Sequence, residues 1–400
     1  MRSPMGTRQE PVEEMATGGR AHDELPGLQA MLQELRQAPE VFRSSLFWEH
    51  HADLQFRELA EEGGFAAFKR TVNRHFFQFM VTGVRDPQFR AVARQWMRHP
   101  KISALLARLE EPLQAPPGSC SPLRLRIAGR IYALYIAMLA HYTARRDRRG
   151  VFADLEEPAL GKPTCVNYEG RAVSEDLCNS VLEYTSIVDA MPAPPRLVVE
   201  LGSGYGRLAW VFLRVQPDVR YVLVDIAPGL AIAQRYLTEL FPERPAFRFR
   251  HFDNYAEVAA ELESAQIVFL TPNQLELIPS LHAELLINVS SLHEMRREQI
   301  EHYFELFAEH CDGFFYTKQW QRSVNSFDDL IVLREDYPVP SGWSSVFDRV
   351  HPVQTRFFEA LYATGGHHEQ VSQTQPAERR LAGSARRRAR RRRGALTGTR

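Results

Sequence analysis

Short apolar runs alternate with helical stretches along residues 196–320, and this alternation is the strongest constraint on the fold. Helical segments are predicted at Arg207–Gln216, Pro228–Phe241 and Arg296–Cys311, between runs that are too short to be helices. Strand, helix, strand in this order is typical of βαβ units, which form a parallel sheet covered on both faces. Five such runs and two further candidate strands between Trp343 and Tyr362 predict an α/β, Rossmann-like, mostly parallel sheet of seven strands. The runs are RLVVELG, RYVLVDI, QIVFL, ELLINVSS and GFFYTKQW.

The residues before this region have a helical pattern instead. Asp86 followed by Pro87 is typical of a helix start, and Phe89, Val92 and Trp96 then recur on one face. Further helices are predicted in the stretch 65–81 and around Ile131. The sequence therefore predicts an all-helical N-terminal domain at 23–150 and an α/β domain at 151–365. Residues 1–22 and 366–400 are predicted to be disordered.

The formal net charge of zero hides an asymmetry. Residues 376–400 contain ten arginines and one acid, so the rest of the chain carries a formal charge of −9. The arginine tail is the only feature that suggests nucleic acid, and it has no aromatic residues on which bases could stack. Nucleic acid is therefore not the expected partner, and the oligomeric state is left open, a homodimer included.

The sequence predicts a cytoplasmic protein that does not enter membranes. The first residues contain no apolar segment typical of a secretory signal, and no apolar run reaches the length of a membrane helix. The four cysteines are scattered and show no CxxC pair, which argues against a zinc site or a disulfide framework. We expect no metal site.

The glycine-rich stretch VVELGSGYGRLA, Val198–Ala209, follows the first predicted strand and can be read in two registers. Residues 204–209 match GxGxxA, the dinucleotide pattern, in which a helix N-terminus holds a pyrophosphate. Residues 200–206 match an acid followed by GxGxG, the pattern of S-adenosylmethionine (SAM) sites. A turn without ligand is a third interpretation.

Glu200 favours SAM over NAD(P). A buried acid at the end of a strand is costly unless it meets a partner, and the cationic SAM supplies one. In the dinucleotide register Glu200 has no role, and Gly204 comes three residues after Leu201 rather than directly after the strand. Asp225, at the end of RYVLVDI, suits ribose hydroxyls in either scheme.

The set of motifs resembles a known family. VVELGSGYGRLA and YVLVDIAP resemble motifs I and II of class I SAM-dependent methyltransferases. Together with FLTPNQLELI, LLINVSSLHEM, YTKQW and the run from Asp336 to Tyr362, they are similar to the sugar O-methyltransferases of the nanchangmycin-biosynthesis type. The resemblance covers roughly Gly161–Tyr362. It implies a class I methyltransferase sheet, SAM as cofactor and methyl transfer to a sugar hydroxyl, often in natural-product or glycan biosynthesis.

Two alternatives stay open: a SAM-dependent methyltransferase of a non-sugar small molecule, and a SAM-fold binding module without catalysis. For an enzyme, a sugar hydroxyl must lose its proton, which calls for a general base with a pKa near the working pH. The loop after the fourth strand supplies His293 as this base, and Glu294 either orients it or binds a sugar hydroxyl. Each could instead be structural.

Further ligand contacts are predicted. In class I methyltransferases the counterparts of Asn273 and Gln274 often contact the adenine, although Asn273 could instead form a turn after Pro272. Asn288 lies in an otherwise apolar strand, and because a buried amide needs partners, we expect it to contact the methionine part of SAM. Lys318 is either a substrate contact, a base or a solvated strand end. The predicted cofactor residues are Glu200, Gly202, Gly204, Tyr205, Gly206, Asp225, Asn273, Gln274 and Asn288.

Overall fold

The structure is a computed structural model that describes residues 25–61, 63–70, 81, 83–96 and 122–365. The predictions of disorder at 1–22 and 366–400 lie outside these residues, as does the helix expected through 71–80. The described residues up to Thr364 form one compact unit.

The centre of this unit is one mostly parallel sheet of eight strands in the order β11-β12-β8-β7-β3-β4-β6-β5. The strands from β8 to β5 are parallel, whereas β12 and β11 form an antiparallel hairpin at one edge. Two short antiparallel hairpins lie outside the sheet. The strands are β1 (Val166–Tyr168), β2 (Arg171–Val173), β3 (Leu197–Leu201), β4 (Arg220–Val224), β5 (Ala246–Phe247), β6 (Ile267–Leu270), β7 (Ala283–Val289), β8 (Cys311–Trp320), β9 (Arg322–Asn325), β10 (Leu330–Leu333), β11 (Ser344–Val350) and β12 (Phe357–Ala363).

The mostly parallel α/β sheet is confirmed, and the seven predicted strands all form. The eighth strand, β5, was not predicted, so the strand count was too low by one. A strand of two residues is too short to show periodicity, and β5 forms because β6 offers it a paired edge.

The helices agree with the periodicity of the sequence. Ser174 starts the helix before the sheet, since its hydroxyl accepts a hydrogen bond from the backbone N–H of Leu177 at 2.9 Å. In the stretch 65–81, the described residues form only a short 3₁₀ turn, Gly64–Ala67. The α-helices are α1 (Leu28–Gln37), α2 (Leu46–Glu61), α3 (Pro87–Trp96), α4 (Pro122–Arg146), α5 (Glu175–Val188), α6 (Arg207–Val215), α7 (Gly229–Leu240), α8 (Ala259–Ser264), α9 (Pro272–Glu276) and α10 (Arg297–His310).

The sheet is buried on both faces. Along β3, Val198 packs into one hydrophobic cluster and Val199 into the other, as expected for a strand covered on both sides. The first cluster also contains Leu28 and Tyr135 from the N-terminal helices, so this core continues across residue 150. A separate domain ending there stays a prediction. Among the described helices, none combines the length and apolar character needed to cross a membrane.

The strand order reverses at β3. In space, β4, β6 and β5 lie on one side of β3, and β7 and β8 lie on the other. In a sheet wound in both directions, ligands bind outside the carboxyl ends of the strands at the point of reversal. This topology places the glycine turn after β3 at the expected site.

Candidate active site

The turn that follows β3 has a left-handed backbone at three glycines, Gly202, Gly204 and Gly206. Gly202 and Gly204 have φ angles of 75° and 56°, in the left-handed region. A Cβ on Gly202 would lie 2.2 Å from the Ser291 Oγ, whereas a Cβ on Gly204 would meet no atom within 4 Å. Gly202 therefore allows close packing within the protein, and Gly204 leaves open space beside the turn.

That open space belongs to a cavity of about 310 Å³ at the carboxyl ends of the central strands. This is within the size range of small-molecule sites. Five of the predicted cofactor residues line it: Glu200, Gly202, Gly204, Tyr205 and Asp225. Gly206 does not, because its Cα faces the side chain of Leu237, where helices α6 and α7 pack together.

Glu200 is buried at the cavity wall and is only 3% exposed. Its carboxyl accepts a hydrogen bond of 2.8 Å from the Tyr221 hydroxyl. Burial raises the pKa of Glu200 to about 8, and the hydrogen bond from Tyr221 offsets only part of this rise. A positive group in the cavity would therefore be strongly favoured beside this carboxyl.

Asp225 follows β4 and holds the glycine turn. Its carboxylate accepts hydrogen bonds from the backbone N–H groups of Gly204, at 2.5 Å, and Ile226, at 2.7 Å. Burial raises the pKa of Asp225 to about 7, against the lowering effect of these two donors. The carboxylate keeps acceptor capacity for ligand hydroxyls because each oxygen has two lone pairs.

Tyr205 supplies an aromatic wall. Its hydroxyl donates to the Asp176 carboxylate at 2.6 Å, and its ring lies edge-on to those of Phe68 and Tyr236. Lys69 lies over the Tyr205 ring at 5.3 Å and forms a buried ion pair with Glu157. The N-terminal segment therefore contributes directly to this wall of the cavity.

Asn288 does not line the cavity. Its amide donates to the Leu201 carbonyl at 2.9 Å and to the Ser291 Oγ at 2.7 Å, and it accepts from Gln319 at 2.5 Å. The prediction that this buried amide needs hydrogen-bond partners is confirmed, and its partners are protein groups rather than a ligand. The cofactor contact proposed for Asn288 has no support from this geometry.

Asn273 and Gln274 also lie outside the cavity lining, although Pro272 belongs to it. The Gln274 amide closes the start of α9 by accepting from the backbone N–H of Thr271 and donating to the Arg250 carbonyl. Asn273 donates to Glu34 of α1 at 2.5 Å. Both amides therefore hydrogen bond to other protein groups, and the Asn273 Oδ1 is the atom of the two side-chain amides without a partner in the described part of the chain.

His293 and Glu294 are buried behind the cavity wall rather than in it. The His293 Nδ1 lies 2.9 Å from the Gln319 Oε1, and its Nε2 lies 3.5 Å from the Glu294 Oε1. The pair that the sequence predicted therefore exists. The ring of Phe357, which lines the cavity, packs edge-on to His293 with centroids 6.4 Å apart. Cavity geometry does not support His293 as the base.

Lys318 lines the cavity and is only 2% exposed, so it is not a solvated strand end. Its Nζ donates to Glu183 at 2.7 Å. Two nitrogens of the Arg207 guanidinium donate to the same carboxylate, at 2.6 and 3.0 Å. Burial would raise the pKa of Glu183, but the two cations outweigh it and lower the pKa to about 2. Burial lowers the pKa of Lys318, and the Glu183 carboxylate offsets part of this effect. In this arrangement the Lys318 amine is engaged in an ion pair with the protein.

The structure adds cavity residues that the sequence analysis did not identify. On α5 these are Glu175, Asp176 and Asn179, and in the N-terminal segment they include Ser45 and Trp48. In the sequence, Glu175 and Asp176 are two acids after Ser174, a pattern typical of a helix start that does not indicate a place in a cavity. Nothing in the sequence indicates that residues near 45 reach a turn near 203.

Three buried polar atoms of cavity residues have no hydrogen-bond partner within the described part of the chain. They are the Ser203 Oγ, in the glycine turn, the Asn179 Oδ1, on α5, and the Gln354 Oε1, between β11 and β12. Buried polar groups are normally paired, so these atoms suit a polar ligand. Among the described residues, no cluster of three or more His, Cys, Asp or Glu side chains could hold a metal ion.

The fold and cavity define a doubly wound α/β protein with a small-molecule site at the carboxyl edge of its sheet. No protein-family model matches the chain, and no curated protein does. Among solved structures, similarity is found to the glycopeptide N-methyltransferase MtfA complexed with (S)-adenosyl-L-methionine, at 12% identity and a TM-score of 0.33. This match covers 48% of this chain and 87% of that chain.

Two other solved structures have comparable similarity. One is a S-adenosylmethionine-dependent methyltransferase from Clostridium acetobutylicum ATCC 824, at 11% identity and a TM-score of 0.33, covering 48% of this chain and 92% of that chain. The other is the plantazolicin methyltransferase BpumL in complex with SAH, at 9% identity and a TM-score of 0.32, covering 48% and 86%.

Proposed function

We propose that this chain is a SAM-dependent O-methyltransferase that transfers a methyl group to a sugar hydroxyl. The observation that carries the proposal is the Glu200 carboxyl, buried at the wall of the cavity with a tyrosine hydroxyl as its hydrogen-bond partner. No cation lies within ion-pair distance of Glu200 in the described part of the chain. A ligand with an ammonium group would supply the missing charge.

The residues around Glu200 fit the rest of SAM. Asp225 would accept hydrogen bonds from ribose hydroxyls, and Ser203 would pair its buried hydroxyl with the ligand. Gly202, the first glycine of the SAM register, follows the last residue of β3 directly, whereas Gly204, the first glycine of the dinucleotide register, does not. When bound, SAM supplies the electrophilic methyl group, so the chain must only bind, orient and remove a proton.

A sugar as acceptor is supported by the polar side chains on the α5 side of the cavity and by the family resemblance. Ser174, Glu175, Asp176 and Asn179 bring carboxylate, amide and hydroxyl groups to one wall. A hydroxyl of the acceptor could pair with the Asn179 Oδ1, which has no partner in the described part of the chain, whereas an apolar acceptor would leave it unpaired. We expect the reaction to take place in the cytoplasm.

The test is a methyl-transfer assay with the full chain and SAM carrying a labelled methyl group. We expect label on methyl glycosides of 6-deoxyhexoses or on their nucleotide-linked forms, and none on catechol, a non-sugar hydroxyl. Label on catechol alone would favour the non-sugar alternative. SAM binding without transfer to any acceptor would favour the binding module.

A further inference from the structure

We propose that Glu175 is the general base that takes the proton from the acceptor hydroxyl, and that Asn179 holds a neighbouring hydroxyl of the same acceptor. The inference rests on the proposed methyl transfer and names the acceptor-binding side of that site. Glu175 and Asn179 are four residues apart on α5, so they lie on one face of the helix, and both line the cavity.

The other carboxylates at the cavity either accept hydrogen bonds from the protein or lie beside the glycine turn. Asp176 accepts the Tyr205 hydroxyl, and Asp225 accepts two backbone N–H groups of the glycine turn. Glu200 lies on β3 beside the glycines that would bind the cofactor. Among the described carboxylates that line the cavity, Glu175 is the one with neither a contact to Tyr205 nor a place beside the glycine turn, and we assign it to the acceptor.

The surroundings of Glu175 suit a base. Tyr132 and Tyr135 of α4 and the charge of Lys318 on β8 act to lower the pKa of Glu175, whereas Asp176, its neighbour on α5, acts to raise it. Burial, the largest influence, raises the pKa of Glu175 to about 7. A base with a pKa near the working pH combines a useful ionised fraction with the strength to accept a proton.

Asn179 gives independent evidence of a ligand at this wall. Its side chain is buried, with 6% of the residue exposed, and its Oδ1 has no hydrogen-bond partner in the described part of the chain. An amide oxygen accepts hydrogen bonds, so the missing partner is a donor such as a hydroxyl. A sugar offers hydroxyls on adjacent carbons, one to Glu175 and one to Asn179.

The proposed step balances. The acceptor oxygen forms a bond to the methyl carbon while the bond from that carbon to sulfur breaks, and its electron pair stays on sulfur. The hydroxyl proton moves to the Glu175 carboxylate. After product release the carboxyl returns this proton to solvent.

The test compares Glu175→Gln with Glu298→Gln, the same change in the first turn of α10 at an exposed position outside the cavity. Turnover is measured at saturating SAM with a methyl 6-deoxyhexoside as acceptor. Glu175→Gln should lower kcat at least 100-fold, leave the Kd for SAM within threefold and remove the rise of kcat with pH around 7. Glu298→Gln should keep kcat and this rise unchanged.

Two further variants separate a catalytic from a structural effect. Glu175→Asp, which keeps the carboxylate, should restore part of the turnover and the dependence on pH. Asn179→Ala should raise the KM for the sugar at least tenfold with a much smaller change in kcat.

Glu175→Gln turnover within tenfold of the wild type, or an unchanged rise of its kcat with pH, would overturn the base and leave the proposed function standing. A wild-type chain that transfers no methyl group would overturn both.

Discussion

At the scale of single residues, Glu200 is a buried acid that the protein alone does not neutralise. With a pKa of about 8, set mainly by burial, it is mostly protonated at pH 7 when the cavity holds no ligand. A cationic ligand favours the ionised carboxylate. Ligand binding and proton release from Glu200 are therefore expected to be coupled.

This coupling predicts that the affinity for SAM rises with pH between about 5.5 and 7.5, by up to tenfold per unit, because binding must remove the Glu200 proton below its pKa. Glu200→Gln should weaken binding and flatten the dependence on pH. Calorimetric titrations with SAM across this range check the slope. An equally steep slope in the variant would contradict the role of Glu200.

Alanine substitutions at Gly202 and Gly204 should have different effects. Gly202→Ala places a methyl group 2.2 Å from the Ser291 Oγ at a positive φ, so we expect a loss of about 2–4 kcal/mol in the free energy of unfolding. Gly204→Ala meets open space and should cost about 1 kcal/mol, from backbone strain alone. Its main effect should be weaker SAM binding, because the methyl group enters the site. Urea unfolding and calorimetry distinguish the two, and equal losses of stability would contradict this assignment.

The residues that could be predicted from sequence are those whose roles are local. Glu200, the glycines and Asp225 follow their strands directly, so strand prediction alone places them at one edge. Glu175 could not be assigned to the cavity, because its position there depends on how α4 and β8 pack around α5. Asn288 was correctly predicted to need partners, but sequence cannot distinguish a protein partner from a ligand.

At the scale of elements, the N-terminal helix α2 is joined to the hairpin formed by β9 and β10. The Asp328 carboxylate accepts the backbone N–H groups of Leu46 and Phe47, at 3.0 and 3.2 Å, and so acts as a helix cap from a distant part of the chain. Residues 44–48 at this end of α2 include Ser45 and Trp48 of the cavity wall.

Replacing Asp328 by Ala should therefore lower stability by about 0.5–2 kcal/mol and raise the KM for the acceptor. The neighbouring Asp329 accepts no hydrogen bond from α2 among the described residues and provides the control: Asp329→Asn should change neither quantity. Thermal unfolding and steady-state kinetics check both variants. Equal effects of the two changes would show that the Asp328 cap does not position α2.

The buried ion pairs of Glu183 join three elements, since Glu183 lies on α5, Arg207 on α6 and Lys318 on β8. Glu183→Gln would leave two cations around one neutral amide, and we expect a loss of about 3–5 kcal/mol in the free energy of unfolding. Asp189→Asn, at the exposed end of the same helix, breaks a surface pair with Arg149 and should cost less than about 1 kcal/mol. Denaturant unfolding checks both. A loss below 1 kcal/mol for Glu183→Gln would contradict the role of these pairs.

At the scale of the whole molecule, the order of the strands could be predicted better than the relation between the two halves of the chain. Periodicity and short connections predict the parallel strands, because each βαβ unit is local. The contact between Ser45 and the Glu294 carbonyl, at 2.9 Å, links residues 249 positions apart. No single-sequence pattern predicts such a contact, and the N-terminal wall of the cavity depends on several of them.

The whole-molecule account rests on one claim, that the cavity at the strand reversal binds SAM. Calorimetric titration of the full chain with SAM, with NAD⁺ as the competing cofactor, tests it most directly. We expect saturable 1:1 binding of SAM, marked weakening by Gly204→Val and no binding of NAD⁺. Absence of SAM binding by the folded chain, or binding that Gly204→Val leaves unchanged, would contradict the claim.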